Sequence, residues 1–97
     1  MKAIGVVSEI VAELERAERK FPGFPTDPVH AAAILQEEAG ELVQAALQFT
    51  YEGGGFDAMF KEAVQTGAMA LRFLLNAHEL KKRPSGLVER RARGELI

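Results

Sequence analysis

Three stretches of the chain carry apolar side chains at intervals of three and four. In the first, Ile4, Val7, Val11, Leu14 and Phe21 recur on one side while Glu9, Glu13, Arg16 and Lys20 occupy the others. That is the pattern of an amphipathic helix. Phe21-Pro22-Gly23-Phe24-Pro25 ends it, because two prolines and a glycine forbid continuation. The second helix opens with Thr26 or Asp27 as its cap. Pro28 takes the first helical position, where its missing N–H would have been unpaired in any case. It runs to about Tyr51, and Gly53-Gly54-Gly55 stops it. The third begins near Phe56 or Asp57 and continues to about Leu80, after which Pro84-Ser85-Gly86 sets off a short charged tail over 84–97.

No stretch alternates apolar and polar residues with β-branched enrichment, so no strand is expected. The expected fold is all-α, one helical domain over 1–97 with helices two and three as a central antiparallel hairpin across the triple glycine. Helix three adds a requirement. Met59, Phe60, Ala63, Val64, Gly67, Ala68, Ala70, Leu71, Phe73, Leu74 and Leu75 cover well over half its circumference. A helix apolar on most sides is buried on most sides, which three or four helices of one chain could hardly do. A chain of 97 residues also buries only about 60–65% of its unfolded surface. Both points predict completion by a second copy, with Gly67, Ala68 and Ala70 small enough for close helix approach.

Composition narrows the function classes. There is no cysteine, which excludes disulfides and thiolate metal sites. A net charge of −2 gives no reason to expect a nucleic acid polymer or an anionic membrane as partner. No apolar run approaches the ~20 residues of a membrane span, and the N-terminus lacks a signal-peptide pattern. The default location is the cytoplasm.

The chemistry lies in helix two, in Glu37-Glu38-Ala39-Gly40-Glu41. At ~100° per residue, Glu38 falls inside the apolar stripe of Ile34, Leu42, Ala45 and Phe49, Glu41 lies on its edge, and Glu37 lies further out. An unpaired carboxylate there costs several kcal/mol or stays protonated. Helix three repeats the anomaly, since Glu62 shares a stripe with Met69 and Phe73. Alone, an EExxE string on a helix reads as a solvated face. With Glu38 inside the stripe and a matching glutamate on the next helix, antiparallel packing brings Glu38, Glu41 and Glu62 together as ligands for a hard divalent cation, Mg²⁺ or Mn²⁺.

This arrangement resembles the MazG-type all-α nucleoside triphosphate pyrophosphohydrolases, which carry EExxE on one helix and ExxD on the next. Here the second motif is Glu62-Ala63-Val64-Gln65, an ExxQ. The likeness spans about Asp27 to Leu75. It implies a dimeric or tetrameric bundle that cleaves a nucleoside triphosphate between its α and β phosphates, releasing a monophosphate and pyrophosphate, as in removing noncanonical nucleotides. By position it implies Glu38, Glu41 and Glu62 as Mg²⁺ ligands, Gln65 in the fourth place, and Glu37 as a further ligand or water-positioning base. The metal would neutralise phosphate charge and activate the attacking water. Gln65 brings no charge and cannot act as a base, so a catalytically silent nucleotide-binding or protein-interaction module is the alternative expectation.

The remaining candidates are weaker. Arg72 follows Gln65 by seven residues on nearly the same face and is a candidate for a substrate phosphate, with a surface ion pair as its commoner fate. Lys81, Lys82, Arg83, Arg90, Arg91 and Arg93 would form a phosphate-attracting rim, although cations at a helix C-terminus are already explained by the macrodipole. His30 and His78 lack the neighbours of a zinc site. The triple glycine lacks the strand and Lys-Ser/Thr of a phosphate loop and reads as a turn. Phe21, Phe24, Phe49 and Tyr51 flank the loops and are expected in the core rather than in a base-stacking wall.

Overall fold

The computed structural model describes residues 2–80 and Gly94. The protein is all-α, with helices α1 (Ala3–Lys20), α2 (Pro28–Tyr51), α3 (Phe56–Leu75) and α4 (Ala77–Leu80), and no strand occurs among the described residues. The proposed tail over 84–97 and the basic residues from Lys81 to Arg93 lie outside the described residues.

Local chemistry accounts for the boundaries. The Asp27 carboxylate accepts a hydrogen bond from the Val29 N–H at 2.9 Å, with Pro28 opening α2. At the other end Gly53 takes φ +75, a left-handed conformation that suits glycine. The next residue approaches the helix end so closely that a Cβ on Gly54 would lie 3.0 Å from Gln48. This turn reverses the chain, so that Phe49 meets Phe56 edge to face at 6.1 Å.

The third helix is shorter than the periodicity suggested. It stops at Leu75, and Asn76 breaks it: both the Asn76 backbone N–H and its side-chain amide donate to the Arg72 carbonyl. A side-chain amide competing for a helix carbonyl is how asparagine ends a helix that the apolar pattern would continue.

The packing order also differs from a simple hairpin with an appended helix. α3 is central, with α2 against one side and α1 against another. Gly67 is the point of close approach to α1, where a Cβ would meet Ile10 Cδ1 at 3.1 Å. The face that α1 turns inward is Val6, Ile10, Glu13, Leu14 and Ala17. Of the stripe read from the sequence only Leu14 is buried, while Ile4 is 77% exposed and Val7, Val11 and Phe21 are exposed as well. With α3 as its main partner, α1 buries one narrow line of residues and leaves the rest of its apolar side open.

The core is accordingly thin. Leu14, Ala31, Ala45, Ala68 and Leu80 are its buried apolar residues among those described. Phe21, Phe49 and Tyr51, expected inside, are exposed, and Phe24 is half-buried.

Two glycines make the backbone argument testable. Gly40 sits inside α2 with nothing within 4 Å of an added Cβ, so Gly40→Ala should raise stability by about 1 kcal/mol through helix propensity. Gly53→Ala should lower it by about 1–2 kcal/mol because of the left-handed φ. Urea denaturation of both variants checks this, and a neutral Gly53→Ala would contradict the turn assignment.

Candidate metal centre

Glu38 and Glu41 lie one turn apart on α2, and Glu62 faces them from α3. One carboxylate oxygen from each lies within 4.8 Å of the others. Glu38 and Glu62 are half-buried and Glu41 is exposed, so the trio opens to solvent on the Glu41 side. Glu38 Oε2 and Glu62 Oε2 are each sealed from solvent without a hydrogen-bond donor among the described residues. Buried acceptors without donors are costly unless a proton or a cation satisfies them.

The electrostatics agree with that geometry. Burial pushes the Glu38 carboxyl above its usual range, and the charges of Glu41, Glu62, Glu13 and Glu37 push it the same way. Burial also raises Glu62, followed by the charge of Glu41 and a hydrogen bond shared with it, against a small opposing pull from Lys61. An all-oxygen set of crowded carboxylates suits a hard divalent cation and no soft one.

Glu37 is exposed and outside the trio, although its charge is felt at Glu38. Gln65 faces α1 and lines a cavity of about 110 Å³ that also touches Glu38. There its amide helps the Arg16 guanidinium hold Glu13 below the usual carboxylate range, with Arg16 the larger influence and burial opposing. In the sequence pattern Glu13 falls on a polar face of the first helix. Its position three residues before Arg16, to which it is bridged, was visible in the sequence, but its approach to α2 and α3 was not.

Arg72 departs most from expectation. It is 4% exposed, and makes no ion pair among the described residues. Its Nη2 donates to the backbone carbonyls of Phe21 and Gly23, and its guanidinium stacks over the Phe24 ring at 5.2 Å. A surface ion pair is therefore ruled out in this fold. The side chain instead fastens the α1–α2 connection to α3, and a planar guanidinium serves that task because it can stack and donate at once. The connection was legible as a helix break, but nothing in it indicated an arginine 49 to 51 residues away as its anchor.

No family model, curated protein or solved structure matches the chain.

Glu38 and Glu62 bind protons more readily in the fold than in the unfolded chain, so their ionisation opposes folding. That penalty is absent below the ordinary carboxylate range, grows as pH rises through the raised folded values, and is complete above them. The Glu13 contribution has the opposite sign but is already present above its unfolded pKa. Calorimetric melting in EDTA should therefore show the part set by Glu38 and Glu62 falling as pH is raised from 5 to 7. Glu38→Gln should melt higher than the parent at pH 7, and Mg²⁺ should narrow that difference. Arg72→Leu should cost about 2–4 kcal/mol in urea denaturation, because it leaves the Phe21 and Gly23 carbonyls without their donor.

Proposed function

We propose that this chain is a metal-dependent nucleoside triphosphate pyrophosphohydrolase acting on noncanonical or excess nucleotides. The observation that carries the reading is the convergence of Glu38, Glu41 and Glu62 from two helices, with two of their oxygens buried and undonated. The resemblance of Glu37–Glu41 and Glu62 to the MazG-type motifs supplies the reaction class.

Glu38, Glu41 and Glu62 would hold Mg²⁺ or Mn²⁺, with the Gln65 amide oxygen as a neutral donor at the edge of the group. When bound, the ion neutralises phosphate charge and lowers the pKa of a nearby water. Water adds to one phosphorus of the α–β anhydride and the bridging P–O bond breaks, which yields the nucleoside monophosphate and pyrophosphate. Glu37, outside the trio and facing solvent, accepts the proton that the water loses. Arg72 contacts the substrate from the cavity side.

The reading includes self-association. Val43, Leu47 and Tyr51 on α2 and Ile4, Val7 and Val11 on α1 are exposed, which supports a homodimer or homotetramer. No described helix is long and apolar enough to cross a membrane, which is compatible with a cytoplasmic enzyme.

A specific observation favours a second reading. Gln65 is neutral and engaged with Glu13, as a silent nucleotide-binding or protein-interaction module would allow. Turnover of a panel of NTPs and dNTPs with Mg²⁺ or Mn²⁺, detecting pyrophosphate and phosphate separately, distinguishes the two. The enzyme releases pyrophosphate only with metal. Glu38→Gln and Glu62→Gln each lower the rate by at least about 100-fold, the scale of losing one preorganised electrostatic contact worth ~3 kcal/mol. Saturable nucleotide binding with no pyrophosphate would establish the silent module instead. Sedimentation velocity of the parent should show a species larger than a monomer.

A further inference from the structure

A second cavity, of about 330 Å³, lies between the α1–α2 connection and the α2–α3 hairpin. Phe21, Phe24 and Pro25 wall it from the connection, and Ile34 and Met69 from the helices. Two charged side chains reach it: Glu38, at the edge of the carboxylate trio, and Arg72. A mainly apolar cavity of roughly 300 Å³ or more with a few convergent polar groups has the composition of a small-molecule site.

The walls discriminate among ligand parts. A polyphosphate does not belong among Phe21, Pro25, Ile34 and Met69, which offer it no donors. An aliphatic chain would satisfy the apolar walls but waste Arg72. That side chain is nine-tenths buried and spends Nη2 on two carbonyls, while Nε and Nη1 make no hydrogen bond among the described residues. Covering those donors with hydrocarbon would leave them unpaired. A flat ring with an acceptor on its edge meets both demands, because a guanidinium only donates. Phe21, 59% exposed at the rim, is available to cover the face of such a ring.

We propose that this cavity seats the heteroaromatic base of the nucleotide, stacked against Phe21, with Arg72 donating to a keto oxygen or ring nitrogen on its edge. The inference rests on the pyrophosphohydrolase reading for the placement of the phosphates, which lie at the trio on the far side of Glu38. It assigns selection of the base to the connection 21–27, not to the triple-glycine turn.

The chain has three methionines, and Met69 lines the cavity while Met59 lies about 15 Å away along α3. Methyl NMR of the full chain with Mg²⁺ can therefore locate the ring. The probes are α,β-methylene analogues of the common nucleoside triphosphates, with inorganic tripolyphosphate as the baseless control. At least one analogue should move the Met69 methyl resonance by ring current and leave Met59 in place, while tripolyphosphate binds without that shift. Phe21→Ala should weaken the same analogue by about fivefold or more and leave tripolyphosphate binding unchanged. Analogues that bind no tighter than tripolyphosphate, with Met69 unmoved, would overturn the base site and leave the metal–phosphate reading standing. Absence of binding by both probes would overturn the two together.

Discussion

The structure is organised around like charges held across a helix pair. Glu38 and Glu62 face each other at the α2–α3 contact with buried oxygens that no donor among the described residues reaches. In the absence of a cation the fold meets this by favouring their protonated forms, and the adjacent Glu41 keeps one side of the group open to solvent. A helix pair selected only for stability would place leucine at position 38 or 62. The hairpin therefore carries a cost that ligand binding can return, and the rest of the chain has to supply the stability that the hairpin gives up.

Part of that support comes from a charge of opposite sign placed apart from the trio. Arg72 is buried with no carboxylate partner among the described residues, and two carbonyls and the Phe24 ring engage it. Glu13, the α1 carboxylate whose charge is felt at Glu38, is engaged by Arg16 and Gln65. Arg16 is thus spent on Glu13 and Arg72 on the connection, which leaves the weak pull of Lys61 on Glu62 as the opposing charge among the described residues. The site keeps its crowded carboxylates because burial and the charge of Glu41 outweigh that pull.

Much of this was legible from residue spacing. Asp27-Pro28 and the triple glycine mark both ends of α2, and the intrusion of Glu38 into an apolar stripe points to the trio before any packing is known. The failures share one cause. Ile4, Val7 and Val11 form a regular stripe, but α1 packs on α3 along a different line, the one that Gly67 leaves open to Ile10. Arg72 reads as a surface residue because its acceptors are backbone carbonyls on a distant connection, and carbonyls leave no trace in a side-chain pattern. Asn76 leaves no break in the pattern because the apolar period continues beyond it. Periodicity reports which faces are apolar; which neighbour covers them is settled by local shape and backbone groups.

The anchoring of the connection by Arg72 has a consequence for how the molecule responds to its surroundings. A guanidinium stays charged at any pH a protein survives, whereas the carboxylates beside it exchange protons with the medium. One wall of the larger cavity is therefore tied by a fixture that acidity cannot loosen, and the opposite boundary, at Glu38, changes its charge. A proton gained or lost at Glu38 changes the charge along one side of the cavity, while the contacts of Arg72 to Phe21 and Gly23 do not depend on it.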